Sequence, residues 1–428
     1  MDPLSPAGTA PAAPDRADPQ ARAAQRATYV AFISSGFGFA SWAAQIPQVR
    51  DSLQASPSLL GLVLLSVALG SLVALPLAGL VVTRLGTART VAAMSACLAL
   101  GLAVVAVGYP YGVVPTMVGL FLFGFGNGSW DVAMNVEGAA VEQRLGTAVM
   151  PRFHAGWSVG SVTGALGGAA MVALGVPVTV HLLAAAVLIA VVVPLSVRRF
   201  LPAAEPAAER TADEAERRSP LVAWREPRTL LIGVFVLCMA FTEGTGNDWL
   251  AVAVIDGYAA PPVAGPLTFA VFLAAMTTGR WFGPQILDRF GRVPALRVSA
   301  LVALVGLVLV VFGTALPLAV LGSVLWGLGA ALGFPVGMSA AADDPQRSAA
   351  RVSVVASIGY TAFLAGPPLI GFLGDHVGVL KALTVTAGLL ALATVIAGTT
   401  APLAGTPGSG TGAPGRPLDQ DAAEPDLR

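Results

Sequence analysis

Long apolar stretches separated by short polar turns recur along the whole chain. Each stretch runs for about 18 to 25 residues, the length that an α-helix needs to cross the hydrocarbon core of a bilayer. Because lipid offers the backbone no hydrogen-bonding partner, we expect these stretches to be helical. The pattern predicts twelve membrane-spanning helices, at residues 28–48, 58–82, 90–108, 113–137, 153–175, 177–197, 228–252, 265–286, 295–314, 317–341, 352–373 and 378–398.

The fourth predicted span contains a charged residue, Asp131, in the run LFLFGFGNGSWDVAMN. A carboxylate near the middle of a bilayer costs roughly 2.5 to 3.5 kcal/mol, so it persists where a partner or a water-filled cavity receives it. Asn127 and Asn135 lie four residues before and after Asp131, and a helix places all three on one face. This face predicts a polar pathway that binds substrate or couples protons. The alternative is a structural Asp bonded to neighbouring helices.

Further polar candidates lie in three other spans. Glu243 and Asn247 share a face of the seventh span, in FTEGTGNDWLAV, and are predicted to bind substrate or couple protons; Asp248 fits equally well as an exposed end residue. Trp42 and Gln45 in the first span, and Tyr360 in the eleventh, lie on stripes that suit a polar cavity. The rings of Trp42 and Tyr360 are suited to stacking on a sugar-like ligand, with anchoring at the membrane interface as the alternative.

The composition supports a membrane protein. Of 428 residues, 55% are hydrophobic and 11% are charged, whereas a soluble domain carries about 25% charged residues. The formal net charge of +0 gives no support to nucleic-acid binding. The sequence contains no nucleophile-and-base constellation, metal-ligand spacing or phosphate-binding loop, so we expect neither an enzyme nor a bound cofactor or metal.

Basic residues predict the orientation in the membrane, because cytoplasmic connections carry an excess of Arg and Lys. Arginines lie before span 1 and in the connections after spans 2, 4, 6, 8 and 10. On the opposite side of the membrane, the notable basic residues are Arg50 and Lys381. Both termini are therefore predicted to be cytoplasmic, in a bacterial cytoplasmic membrane. Residues 1–27 and 399–428, rich in Pro, Ala and Gly, are predicted to be disordered cytoplasmic tails.

One long charged connection divides the chain into two similar halves. Residues 198–227 are predicted to be a cytoplasmic linker between an N-terminal six-helix bundle, 28–197, and a C-terminal one, 228–398. A short basic turn follows the second span of each half, and the fourth spans share a glycine pattern, LFGFG at 122–126 and LWGLG at 325–329. Such a parallel repeat favours a binding site near the bilayer midplane, between the halves.

The basic turns resemble the loop signature of the major facilitator superfamily, roughly G-x-x-x-D-R-x-G-R-R. The first copy keeps Gly79, Arg84, Gly86 and Arg89, with Thr83 at the usual Asp position; the second keeps Asp288, Arg289, Gly291 and Arg292. This resemblance implies an all-α fold of two pseudo-symmetric six-helix bundles and a charge latch in the second half. The segments GFASWAAQIP, DVAMNVEG and RFHAGWSVG are similar to the bacterial YbjJ/MosC-like group.

The same resemblance implies gate residues near the cytoplasmic ends of the helices. Arg280 in the eighth span is expected to pair with Asp288 or with a neighbouring helix end. His154 opens the fifth span, where it either senses internal pH or binds a loop carbonyl. The predicted gate residues are Arg280, Asp288, Arg289, Arg84 and His154.

The sequence predicts a secondary transporter that works by alternating access, with proton-coupled movement of a small polar, sugar-like solute. Proton-antiport efflux of amphipathic drugs or metabolites is one alternative. A non-transporting membrane receptor on a transporter scaffold is another. We expect the protein to be a monomer whose partners are the lipid bilayer and a small-molecule substrate, and a proton gradient to supply the energy.

Overall fold

The computed structural model describes residues 18–147, 149–202, 220–344 and 347–403. Most of the two predicted tails, 1–17 and 404–428, and most of the predicted linker, 203–219, lie outside this part. Within it the chain is helical and contains no β-strand. The α-helices are α1 (Pro19–Ala43), α2 (Ile46–Leu53), α3 (Pro57–Leu85), α4 (Thr87–Gly108), α5 (Val113–Leu145), α6 (Met150–Ala173), α7 (Val178–Ser196), α8 (Pro227–Tyr258), α9 (Ala264–Phe290), α10 (Arg292–Phe312), α11 (Leu316–Ala330), α12 (Gly333–Ala341), α13 (Ser348–Val377), α14 (Val379–Ala382) and α15 (Thr384–Ile396).

These helices form the two six-helix bundles that the sequence predicts. The first half consists of α1 and α3–α7, with the short α2 after α1; the second consists of α8–α10, α11 with α12, α13, and α14 with α15. Among the described residues, eight helical segments are long and apolar enough to cross a membrane by length and hydropathy alone. The other four, α1, α5, α6 and α9, are as long but carry more polar residues. Such residues are tolerated where they face protein or a cavity rather than lipid.

The first helix begins earlier than predicted. The composition predicts a disordered tail through residue 27, but α1 starts at Pro19, directly after Asp18. The Asp18 carboxylate accepts hydrogen bonds from the backbone N–H groups of Gln20 and Ala21, and Pro19 occupies the first helical position. An acidic N-cap followed by proline is a strong helix start. The Arg144 guanidinium beside Asp18 holds the pKa of that carboxyl below its usual range.

The predicted tenth span, 317–341, is not one continuous helix. The chain breaks at Ala331 and Leu332, between α11 and α12. Pro335 has no N–H with which to close a helical bond to the Ala331 carbonyl, four residues earlier, and its ring opposes a straight helix there. Arg280 supplies the missing donor, since its Nε lies 3.4 Å from the Ala331 carbonyl oxygen. The break therefore binds a charged side chain of α9, the neighbouring helix of the same half.

The two halves repeat the same backbone geometry at their basic turns. Gly86 and Gly291 have φ values of +78° and +77°, with ψ of 165° in both. Residues with a side chain rarely adopt this conformation, so glycine is required at both positions. Each glycine ends one helix and leads directly into the next. The internal repeat seen in the sequence is thus a repeat of structure.

Glycines also set how closely the helices approach within each half. A Cβ at Gly101 of α4 would lie 2.5 Å from the backbone nitrogen of Phe123 in α5. In the second half, Gly306 of α10 meets the backbone nitrogen of Trp326 in α11 in the same way. Small residues at such contacts let helix backbones pack closely in a membrane, where the hydrophobic effect does not drive association.

Gly101→Ala tests this close packing by adding one methyl group at the helix contact. We expect it to destabilise the protein by about 1 to 3 kcal/mol, because the added atoms force the two backbones apart. The matched control is Gly79→Ala in α3, where an added Cβ meets nothing within 4 Å. Thermal unfolding of the detergent-solubilised variants measures the difference. Equal melting temperatures would contradict the proposed role of Gly101.

Candidate functional site: a cavity between the two halves

A cavity of about 200 Å³ lies between the two bundles. It is bounded by α1, α3 and α5 of the first half and by α8 and α13 of the second. Aromatic and aliphatic side chains form most of its wall, and the polar groups come from both halves. The lining includes Phe39, Ser71, Asn127, Asn247, Asp248 and Tyr360.

The cavity is closed on one side by contacts that join the halves. Arg50 of α2 forms an ion pair with Asp256 at the end of α8. The Asp375 carboxylate of α13 accepts a hydrogen bond of 3.2 Å from the backbone N–H of Ser58 at the start of α3. Nearby, Gly61 lies so close to the Pro367 carbonyl that an added Cβ would approach to 2.5 Å. We call this side the closed face.

The other side carries most of the arginines and is held differently. We call it the arginine-rich face, and it includes Arg84, Arg144, Arg228, Arg292 and Arg351. The ion pairs given there for the described residues join partners within one half: Arg144 with Asp18, Arg228 and Arg292 with Asp343, and Arg347 and Arg351 with Glu226. No such pair crosses between the halves among these residues. Among the described residues, the ion pair that joins the halves therefore lies at the closed face, whereas those of the arginine-rich face stay within one half.

Asp131 lies one helical turn from the cavity, toward the arginine-rich face. Its side chain is exposed although it belongs to a membrane-spanning helix, which places it in the opening between the halves, because a carboxylate exposed to lipid would be too costly. Asn135 donates to both the Asp131 carbonyl, at 2.8 Å, and its carboxylate, at 3.3 Å. Asn127 lines the cavity itself and accepts a hydrogen bond from Ser35. The face predicted on α5 is thus present.

The α8 helix contributes a carboxylate to the cavity that differs from the one predicted. Asn247 lines the cavity as predicted, but its acidic neighbour there is Asp248 rather than Glu243. Asp248 is half-buried, and the sequence left it open as an exposed end residue. The spacing of Gly244, Asn247 and Asp248, all of which line the cavity, follows one helical face and is the signal that could have identified it.

Glu243 instead forms an ion pair inside the second half. Its Oε1 lies 2.7 Å from a guanidinium nitrogen of Arg280 on α9. Two partners were predicted for Arg280, and the structure gives the helix end, Ala331, and adds Glu243 in place of Asp288. The arrangement connects α8, α9 and the break between α11 and α12. Glu243 is therefore engaged, whereas Asp131 and Asp248 have no cationic partner among the described residues.

Removing the cation of this pair should destabilise the second half. Arg280→Met leaves Glu243 uncompensated, with 14% of its side chain exposed. Losing one partner of a buried pair costs about 3 to 5 kcal/mol, and partial exposure reduces this to about 1 to 3 kcal/mol. Adding Glu243→Gln should restore part of the loss, and exposed Arg289→Met serves as the control. Thermal unfolding measures all three; equal stability of the single and double variants would contradict the pairing.

Trp42 and Gln45 do not line the cavity. Trp42 is 2% exposed and Gln45 is 1% exposed, both within the first half. The Gln45 amide nitrogen lies 2.9 Å from Nδ1 of His181 on α7. Trp42 on α1 and Gln45 just before α2 both face their own half, and Phe39 of α1 reaches the cavity instead. Helical spacing groups the residues of a face but does not say toward which neighbour the face turns.

The predicted gate residues occupy several environments. Arg84, Asp288 and Arg289 are exposed at the arginine-rich face, with the Arg289 guanidinium 5.2 Å from the centre of the Phe290 ring. His154 is exposed at the start of α6, where its ring packs edge-to-face on Phe32 at 5.2 Å. Of the set, Arg280 is the one in an ion pair within the described residues.

At the basic turn of the second half, Arg292 forms an ion pair with Asp343, while Asp288 is exposed. Arg292 follows Gly291 and donates to both carboxylate oxygens of Asp343 at 2.9 Å. At the matching place in the first half, Thr87 follows Gly86 and donates to buried Glu137 at 2.6 Å. The neutral threonine therefore replaces the charged donor. Among the described residues, this turn therefore carries a charged pair in the second half and a neutral donor in the first.

The family is shown by comparison with known sequences. The sequence profile described as "Major Facilitator Superfamily" matches residues 28–361. The chain belongs to the major facilitator superfamily. It is 33% identical over 356 residues to the uncharacterized transporter y4wD of Sinorhizobium fredii, covering 82% of this chain and 91% of that protein. An uncharacterized MFS-type transporter of Yersinia pestis is 30% identical over 370 residues, covering 86% and 92%.

Two further similarities support the same conclusion. Membrane protein MosC of Rhizobium meliloti is 26% identical over 356 residues, covering 82% of this chain and 84% of that protein, in agreement with the predicted likeness to the MosC group. Among solved structures, the nucleoside transporter NupG has a TM-score of 0.73 at 15% identity, covering 89% of this chain and 99% of that one. This superfamily member is thus a multi-pass membrane transporter.

Proposed function

We propose that the protein is a proton-coupled secondary transporter for a small polar solute, working by alternating access. The observation that carries this proposal is the cavity between the halves, closed at one face and bordered by carboxylates that have no cationic partner among the described residues. A transporter that alternates must expose such a site to one side at a time. The volume, about 200 Å³ against roughly 30 Å³ for a water molecule in the liquid, suits a small solute.

The direction of opening follows from the distribution of charge. Arginine-rich connections are retained on the cytoplasmic side of bacterial membranes, so we infer that the arginine-rich face is cytoplasmic and that both termini lie there. The closed face is then external, and the structure represents the inward-facing state. Arg50 with Asp256, and Asp375 with Ser58, would separate when the transporter opens outward.

Proton coupling is assigned to Asp131. It is a carboxylate in a spanning helix, lacks a cationic partner among the described residues, and lies where the cavity opens toward the arginine-rich face. A group in this position can exchange protons with that side and change the charge of the site. Glu243, the other candidate, is held by Arg280 and is proposed to stabilise the second half instead.

Proteoliposomes with a trapped pH indicator test the proposal. A panel of sugars, polyols, amines and sugar acids is added outside, one compound at a time, and proton movement is recorded against protein-free liposomes. Symport predicts that the active solute drives protons inward, and that an imposed pH gradient accumulates it on the alkaline side. Binding by purified protein without any flux would contradict transport and support a receptor.

Efflux by proton antiport is the second candidate. The apolar part of the wall, including Leu64, Leu72 and Phe363, would also accommodate an amphipathic compound. Antiport predicts the opposite signs: the active solute drives protons outward, and it accumulates on the acidic side. The same measurement therefore separates the two candidates.

A further inference from the structure

Two acceptor groups in the cavity receive no hydrogen bond from the part of the protein that the structure describes. The side-chain oxygen of Asn247 is buried without a hydrogen-bond partner. The Asp248 carboxylate, next to it on α8, makes no hydrogen bond or ion pair with the described residues. A buried acceptor without a donor costs roughly 1 to 3 kcal/mol. A ligand that brings donors to this place would recover that loss.

The charge of the site has one sign. None of the described residues that line the cavity is Lys, Arg or His. Asp131 adds a second carboxylate toward the opening, and the nearby Arg280 is engaged by Glu243. A cleft lined by one sign of charge and bounded by apolar walls focuses its field and concentrates ions of the opposite sign. An anionic solute would be repelled here.

The wall of the cavity adds aromatic rings. Phe39 reaches it from the first half, and Tyr360 and Phe363 reach it from the second. The Tyr360 and Phe363 rings lie 6.2 Å apart, centre to centre. The faces of such rings attract ammonium groups and also pack against carbon skeletons. Aromatic rings beside a free carboxylate form a common setting for amine recognition.

We propose that the transported solute is a small organic cation, whose protonated amine is received by Asp248 and Asn247 while its carbon skeleton packs against the aromatic wall. This inference rests on the proposed function, since it treats the cavity as the transport site. It adds the charge of the solute, which the sequence-based expectation of a sugar-like compound left unstated. Solutes that carry a carboxylate or phosphate as their only charge would be excluded.

Charged thiol reagents measure this selectivity without knowledge of the solute. Ser71, which lines the cavity, is changed to Cys in a chain with Cys97→Ala and Cys238→Ala. Methanethiosulfonate reagents of similar size, one cationic and one anionic, then compete for this thiol. Relative to free cysteine, we expect the cationic reagent to react about ten-fold faster than the anionic one. The reason is that a carboxylate attracts a cation and repels an anion more strongly in a partly apolar site than in water. An equal or reversed preference overturns the proposal.

Variants at Asp248 locate the source of the preference. Asp248→Asn should reduce the ratio several-fold, whereas Asp248→Glu should keep it, which separates loss of charge from disturbance of the fold. Asp288→Asn removes an exposed carboxylate away from the cavity and should leave the ratio unchanged. A ratio unaffected by Asp248→Asn would overturn the assignment of the amine to this residue.

The solute panel of the flux assay tests separately whether the protein is a transporter and whether its solute is an organic cation. If amines drive proton movement and neutral sugars and sugar acids do not, the cation assignment is supported. If a neutral sugar or a sugar acid is active and amines are not, the cation assignment fails while the transporter function stands. A strong preference for the cationic reagent without flux for any solute would contradict transport alone.

Discussion

Asp131→Asn is expected to reduce solute-driven proton flux to the level of protein-free liposomes. The Asn side chain preserves the shape and the contact with Asn135, but it cannot take up or release a proton. Solute binding and solute exchange across the membrane without a gradient should continue, because the cavity itself is formed by other residues. The measurement combines the trapped pH indicator with counterflow of the active solute.

The control for this variant is Asp288→Asn, which removes a carboxylate of the same charge at the exposed end of α9. Its solute-driven proton flux should equal that of the unaltered protein. Glu243→Gln provides a second comparison, since Glu243 forms an ion pair with Arg280. Its loss should lower the melting temperature more than it changes solute-driven proton flux. Full coupling in Asp131→Asn would show that another group carries the proton.

Arg50→Ala is expected to shift the protein toward the outward-facing state. Its guanidinium joins α2 of the first half to Asp256 of the second and is largely covered, with 14% of its side chain exposed. Truncating one partner of such a pair costs roughly 2 to 5 kcal/mol in comparable interfaces. A loss of this size, after discounting for the exposed Asp256, is enough to change the populations of two states that differ by a few kcal/mol.

A single cysteine in the cavity wall, about one turn of α3 beyond Gly61 of the closed face, detects the shift. In a chain with Cys97→Ala and Cys238→Ala, Leu64→Cys should react slowly with an impermeant thiol reagent added to the external side, and several-fold faster once Arg50→Ala is introduced. Asp51→Asn is the matched control, because Asp51 also contacts Arg50 but belongs to the same half. Unchanged labelling in Arg50→Ala would contradict the role of this pair as an external latch.

Much of the fold follows from local pattern. Runs of about 20 apolar residues must be helical in lipid, so the two bundles could be predicted from hydropathy. The differences arise where a few residues override that pattern: Asp18 and Pro19 extend α1, and Pro335 breaks the tenth span. Both signals are visible in the sequence, but hydropathy does not weigh them, since a cap and a missing N–H act through hydrogen bonds.

The site was only partly predictable. Asn127, Asn247 and Tyr360 line the cavity as expected, and Asp131 lies at its opening. Trp42 and Gln45 turn into their own half, and Asp248 takes the place assigned to Glu243. Each of these residues lies on the helix face that its spacing indicates, and the outcome depends on how the helix is rotated within its bundle.

The sequence by itself therefore determined which segments cross the membrane, how the chain is repeated, and which residues share a face, because these properties depend on hydropathy and helical period alone. The tertiary structure decided which faces meet. It pairs Glu243 with Arg280 and joins Arg50 to Asp256 across the halves, and within the described residues it gives Asp248 and Asp131 no cationic partner. The physical reason is that these partners are far apart in sequence, and packing of whole helices brings them together.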